Sequence, residues 1–276
     1  MISRYSTQPG KAWLMKKLKS GKWNDWRIEN PEVKINLCKE SFKGRKDLSG
    51  IDFSGANLEY ADFSDAILDG ANFNKANLYG AKFGNASLFE ISFVEAKMLA
   101  VFLDNARAEQ GNFSNAVLSS ARFLNAALEG ALFRGAFIVA TNFKGAKLAD
   151  SIFADAVIDQ TIFKDADIRL ARFAYCNPRH NDHVLTASSG SGYGMYLVQR
   201  KGGVNVEAGC RFFKSIAQAR RHWRTENPRF TKKHYWGGNL EMAEKHLSQC
   251  NAALDFLVSQ ARSKGWKFDE KEETSQ

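Results

Sequence analysis

The stretch GANLEYADFSDAILDGANFNKANLYGAKF, residues 55–83, repeats one chemical pattern every five residues. Followed outward, the pattern holds phase from Lys46 to Tyr175, which is 130 residues or 26 units. The centre of each unit, position i, is Leu48, Phe53, Leu58, Phe63, Leu68, Phe73 and so on to Phe173. Position i−2 is mostly Ala, as at Ala56, Ala61, Ala66, Ala71 and Ala76. A period of five matches neither the 3.6 of a helix nor the 2 of a strand, so the chain must turn within every unit. With i and i−2 facing inward, a two-residue corner separates successive sides, and four corners close a square. A small and a bulky residue then share a narrow interior. Gly or a small polar residue at i+2, as at Gly50, Gly55 and Gly70, suits the corner backbone. Twenty residues per lap predict about 6.5 coils stacked at roughly 4.8 Å, a rod of about 31 Å.

Phe and Leu alternate at i. Phe takes every tenth residue from Phe53 to Phe173 except Leu103, so Phe columns are expected on two opposite sides and Leu or Ile columns on the other two. Stacked rings contribute about 0.5–1.5 kcal/mol per pair beyond burial. Ala108 leaves less side chain at an axis position and predicts a small void or bend there.

These residues resemble the pentapeptide-repeat family, with its consensus A-(D/N)-(L/F)-x-x. The resemblance implies a mainly β fold, a right-handed quadrilateral β-solenoid with four repeats per coil. The segment WNDWRIENPEVKINL, residues 23–37, resembles the lead-in of many bacterial members. One functional branch of the family mimics DNA and engages DNA gyrase, a role that implies a long, acidic, usually dimeric rod.

Charge argues against that branch. The net charge is +9. Residues 1–45 carry 11 Lys and Arg against 4 Asp and Glu, residues 46–175 carry 12 against 16, and residues 176–276 carry 16 against 10. A mildly acidic rod between two basic ends bears on partners more than on fold.

In such a rod, function falls on the outward positions. Stepping by twenty places Tyr60, Tyr79, Leu99, Val117, Phe137, Val139 and Val157 on one face, and adds Leu132 and Ile152 on the neighbouring face. A contiguous apolar patch marks a contact. Three occupants are open: the chain's own C-terminal segment, a second copy, or a different protein. Outward acidic residues, among them Glu59, Asp62, Asp65, Asp69, Asp150, Asp155, Asp159, Asp165 and Asp167, recur with the repeat and read as solvated surface.

The flanks divide into a helical cap and lead-in over residues 1–45, a linker over 176–194 and a small α+β domain over 195–276. Trp13, Leu14, Leu18, Trp23 and Trp26 supply apolar material for the cap that a solenoid's open edge requires. Asn30-Pro31 stops the cap helix. Phe42 to Leu48 spans six residues, so one residue is inserted before the phase settles. Asn177-Pro178 reads as the end of the repeat. Beyond the linker, Tyr196–Arg200 and Val204–Phe213 read as a hairpin, with helices over residues 215–223 and 240–264, the second ended by Gly265. The run AGCRFFKSIAQARRHW, residues 208–223, loosely resembles a small module of phage and bacterial proteins and brings no chemistry with it. Arg211, Lys214, Arg220, Arg221, Arg224, Arg229, Lys232 and Lys233, interleaved with aromatics, form a candidate nucleic-acid surface.

Catalytic and metal chemistry find little footing. Cys176, His180 and His183 lack a fourth zinc ligand. Cys210 and His222 read as a strand thiol and a helix-end imidazole rather than a nucleophile pair. Gly190-Ser191-Gly192-Tyr193-Gly194 lacks the Lys-Ser/Thr of a phosphate loop. No export signal or 18-residue apolar run is present, so the expectation is a cytoplasmic, non-enzymatic binding protein without cofactor or membrane partner, its four Cys kept as thiols.

Overall fold

The computed structural model describes residues 9–168, 171–173, 177–179, 184–188, 194–200, 203–208, 211–213, 218, 219, 221 and 240–266. Its body is a right-handed, four-sided β-solenoid. Parallel pairs twenty residues apart run without a slip from Asp52↔Asn72 to Ile152↔Arg172. The consensus explains the backbone. The i residue donates its N–H to the lap above, as Phe53 does to the Asn72 carbonyl at 2.7 Å, and the i−1 residue donates to the lap below, as Asn72 does to Ile51 at 2.9 Å. An Asp or Asn at i−1 turns its side-chain oxygen onto the N–H two residues on: Asp52 to Ser54 at 3.0 Å, Asn57 to Glu59 at 3.2 Å, Asn112 to Ser114 at 3.0 Å. That local bond folds the corner. Every fifth residue from 50 to 165 then has φ between 50° and 71°, and only seven of these are Gly. A side chain in that region costs about 1–2 kcal/mol, which the ladder must offset at each remaining corner.

Inside, the two Phe columns form as expected. Phe93, Phe113, Phe133, Phe153 and Phe173 stack in one column, the last pair at 4.8 Å and 1° between planes. Phe123, Phe143 and Phe163 stack in the other. Between columns the rings meet edge to face, as Phe133 and Phe143 do at 85°. Ala108 produces no bend. Its N–H reaches the Ala127 carbonyl at 2.8 Å and the ladder register is unchanged. Neighbouring Gly111 leaves no room for a side chain, since a Cβ there would lie 3.0 Å from both the Ala108 carbonyl and the Phe113 ring.

The solenoid is longer than its repeat. It begins at Asn36, where Asn36↔Asn57 and Ser41↔Asp62 are spaced by twenty-one residues. The extra residue is absorbed at a bend where the Arg45 guanidinium grips the Asp47 carboxylate at 2.7 and 2.5 Å and holds its pKa below the usual value. At the far end, β1 (Phe137–Val139), β2 (Val157–Asp159) and β3 (Asn177–Arg179) form a continuous parallel sheet. The expected linker over 176–194 is thereby corrected. Its first described residues are solenoid, and β4 (Val184–Ser188) is a further strand. Pro178 does not break the repeat, because it occupies the i column of the last lap. On earlier laps that N–H donates upward, as from Leu118 to Phe137 at 2.8 Å. Among the described residues the ladder continues no further above β3, so Pro178 sacrifices no bond there and removes the donor of its own column.

At the other edge, α1 (Lys11–Lys19) and α2 (Trp23–Glu29) close the rod. Leu14, Leu18, Trp23 and Trp26 are buried, with Trp23 against Phe53 at 5.6 Å. More telling are the polar bonds. Trp23 Nε1 donates to the Asp52 carbonyl at 2.7 Å and Asn24 Nδ2 to Gly50 at 2.8 Å. Asn24 Oδ1 accepts the Asp52 N–H at 2.9 Å, and Arg27 donates to Ser54 at 2.9 Å. Side chains of α2 thus satisfy the strand edge that a preceding lap would have paired.

Past β4, the chain forms β5 (Gly194–Arg200), β6 (Gly203–Ala208) and β7 (Arg211–Phe213), an antiparallel meander in the order β4-β5-β6-β7. The expected hairpin is present, but its second strand is two strands. The pairing of Ala208 with Arg211 shows that the chain reverses between them. Residues 218, 219 and 221 are helical, and the rest of the helix expected over 215–223 lies outside the described residues. α3 (Leu240–Ser263) packs on β4 and β5. It buries Cys250, Leu254, Leu257 and Ala261, and burial pushes the Cys250 thiol up to about 11. Gly265 at φ 73° ends it, with the Trp266 N–H on the Ala261 carbonyl at 3.0 Å and the Gly265 N–H on Arg262 at 2.9 Å.

Trp23→Ala should destabilise the protein by about 3–5 kcal/mol, and Asn24→Ala, whose bonds are solvent-accessible, by about 1 kcal/mol. Thermal melts of the full chain measure both. A silent Trp23→Ala contradicts the capping role.

Candidate functional site

Each face of the rod presents three outward columns, i−1, i+1 and the corner residue i+2. On the face that carries Leu58, Leu78, Met98, Leu118, Ile138 and Ile158 inside, the ladder runs Asn57↔Asn77↔Lys97↔Val117↔Phe137↔Val157↔Asn177. The first two laps keep the corner-folding Asn. The third carries Lys97, and the next three carry Val117, Phe137 and Val157, which give up that side-chain bond and set apolar groups on the surface. The i+1 column of the same face holds Tyr79, Leu99 and Val139, and the corner column holds Tyr60. Tyr60, Tyr79, Leu99 and Phe137 are 49, 41, 39 and 51 % exposed, and Val117, Val139 and Val157 are half-buried. The seven residues assigned to this face by their spacing do share it. Leu132 and Ile152 sit one lap apart on the adjoining face, both half-buried. Among the described residues nothing covers the four exposed side chains, so the described part of the C-terminal segment does not shield them.

Two local features shape the patch. The rings of Tyr60 and Tyr79 meet edge to face at 5.2 Å and 88°. A hydrogen bond with Tyr79 holds the Tyr60 phenol above its ordinary pKa. Tyr60 occupies a left-handed corner at φ 56°, an uncommon conformation for a bulky residue. Its ring lies where Gly80 leaves room, since a Cβ on Gly80 would come within 2.8 Å of it. At the other end, the hydrogen-bonded turns at 139–140 and 159–160 give way to open bends, and the chain runs as the true strands β1 and β2. There Thr141 and Thr161 take the inward i−2 position that Ala holds on most laps. Their hydroxyls donate to the carbonyls of Leu118 at 2.8 Å and Ile138 at 2.6 Å, tying each lap to the one below. The apolar face is therefore flattest where it is most aliphatic.

Other exposed apolar residues are scattered. Phe89 stands on the opposite face and Ile162 on an adjoining one, while Ile28 and Phe256 belong to α2 and α3. Sequence spacing passed over them because none has an apolar neighbour on its own column. Phe102 carries the Arg122 guanidinium 5.3 Å above its ring, and Arg122 also pairs with Asp104 at 2.6 Å. Of the candidate nucleic-acid residues, Arg211 lies in β7 and Arg221 is an exposed helical residue. Lys214, Arg220, Arg224, Arg229, Lys232 and Lys233 lie outside the described residues. Cys176, His180, His183, Cys210 and His222 lie outside them as well. Among the described residues no group of three or more His, Cys, Asp or Glu is arranged to hold a metal ion, and no helix is long and apolar enough to cross a membrane.

The Tyr60–Gly80 contact is directly testable. Gly80→Ala and Gly70→Ala carry similar backbone strain, but only the first meets a neighbour. Gly80→Ala is expected to lower the melting temperature more than Gly70→Ala, and the excess should vanish in a Tyr60→Ala background. An excess that persists there would show that the ring does not rest on this corner.

The family model for pentapeptide repeats matches in eight copies, over residues 47–85, 103–135 and 139–173. No curated protein sequence matches significantly. Among solved structures, a trypsin-treated form of QnrB1, a plasmid-mediated fluoroquinolone resistance protein, is 18 % identical over 52 % of this chain and 90 % of its own, with a TM-score of 0.34. HetL, involved in heterocyst differentiation regulation in the cyanobacterium Nostoc sp. strain PCC 7120, is 19 % identical over 62 % and 94 %, with a TM-score of 0.28. A pentapeptide repeat protein from the Arabidopsis thaliana thylakoid lumen is 30 % identical over 45 % and 71 %, with a TM-score of 0.16. With 26 units in unbroken phase and the family model matched across them, this chain belongs to the pentapeptide-repeat family.

Proposed function

We propose that this protein is a non-catalytic scaffold that binds a protein partner through the apolar face of its solenoid. The observation that carries the reading is the exchange on the i−1 column of that face. At Val117, Phe137 and Val157 the chain forgoes the corner-folding Asp or Asn and sets an apolar side chain on the surface in its place. A local rule broken on successive laps of one face points to a demand other than folding. Tyr60 supports the same reading, since a strained corner holds an exposed aromatic beside a second one, the residue type that anchors interfaces. Pentapeptide-repeat proteins serve as non-catalytic binding scaffolds, which agrees with a rod whose interior is filled by Phe, Leu and Ala. Gyrase-directed imitation of DNA fits poorly, because residues 46–175 are nearly balanced in charge and the distinctive face is apolar.

The test is affinity capture of partners from the source cells, comparing the wild-type protein with Phe137→Asp/Val157→Asp. The variant is expected to keep its melting temperature, because both side chains point outward, and to lose the captured partner. A variant that folds and still captures the same partner would refute the assignment of this face.

A further inference from the structure

The apolar face matches itself. We propose that it packs against the same face of a second copy of this chain, with the two rods antiparallel and a two-fold axis passing at Val117. This inference rests on the reading of that face as the binding surface and names its occupant. An in-plane two-fold perpendicular to the rod keeps each column opposite itself and reverses the order of laps. Centred at Val117, it sets Val117 on its own counterpart and Leu99 on Val139. Lys97 falls on Phe137, a cation over a ring, and Tyr79 on Asp159, a phenol on a carboxylate. In the corner column Ala100 meets Ala140, two small residues that let the faces approach. No like charges meet.

Neighbouring registers do worse. Moving the axis half a lap toward the cap sets Glu59 against Asp159. Moving it half a lap the other way sets Asp159 against Leu99 and Lys97 against Val157, burying charges on aliphatic surface. A two-fold along the rod, which keeps the rods parallel, pairs Val157 with Asp159 and Lys97 with Leu99. Charge complementarity therefore selects one arrangement out of these four. Each copy carries a net +9 with basic ends, so long-range repulsion opposes association and salt screens it. The dimer should hold or tighten as salt rises, whereas an association driven by opposite charges would weaken.

Sedimentation velocity of the full chain across micromolar concentrations, at low and high salt, should show a monomer–dimer equilibrium that salt does not weaken. Phe137→Lys, which sets like charges against Lys97 in this register, should give a monomer with an unchanged thermal melt. For the register, Val117→Cys treated with a short bismaleimide should yield a covalent dimer above the wild-type background, and Phe89→Cys on the opposite face should not. A wild-type monomer at every concentration, a dimer that survives Phe137→Lys or dissolves in salt, or Val117→Cys that links no better than Phe89→Cys would each overturn the proposal. A monomeric wild type whose partner capture is still abolished by Phe137→Asp/Val157→Asp would sink the second copy as occupant and leave the binding face standing.

Discussion

The structure depends on one constraint, that an interior only two inward side chains deep must be filled on every side of every lap. Ala at i−2 and Leu or Phe at i meet it, and the rest follows. Because both inward positions are spoken for, the intervening Asp or Asn faces outward, where its oxygen folds the next corner. Because the corner takes two residues, the second adopts the left-handed conformation from residue 50 to residue 165 whether or not it is Gly. Because each lap takes twenty residues, like stacks on like, and from Phe93 onward the Phe rings lie nearly parallel within a column and edge-on between columns. The ladder tolerates Ala108 and Leu103 for the same reason. A smaller side chain at one axis position leaves the register unchanged.

This constraint also separates what the sequence reveals from what it hides. Strict periodicity made the solenoid, its Phe columns and the apolar face readable, since membership of a face is arithmetic once the lap length is known. The inserted residue before Leu48 was readable as a phase shift. The work of Asn24 and Arg27 was not, because a side chain that imitates a neighbouring strand leaves no periodic trace. Asn177-Pro178 misled for a physical reason. Pro is a breaker inside a ladder, but on a last lap the donor it lacks has no acceptor waiting. The boundary between β6 and β7 was missed because Gly209 interrupts an apparently continuous alternation by only two residues.

The candidate site was legible in position but not in texture. Spacing placed Tyr60, Tyr79, Leu99, Val117, Phe137, Val139 and Val157 together. It did not reveal that Tyr60 lies over Gly80, or that Thr141 and Thr161 anchor the laps where the corners open into strands. Those features arise from contacts between laps, and each depends on a partner twenty or more residues away. The basic cluster of the C-terminal segment shows the opposite balance. Its composition is conspicuous, yet without the repeat's arithmetic composition alone does not assign its residues to a common surface.

The two ends of the ladder carry a consequence of their own. A stack of parallel laps is a template that invites another molecule to add itself, as amyloid does. Here the first lap meets a tryptophan, an asparagine and an arginine in place of a strand, and the last presents a proline where a donor would stand. The rod is thus a finished segment of what is chemically a polymer. Its length is set by the gene and not by protein concentration, and a molecule built on the geometry of a fibril is kept from growing into one.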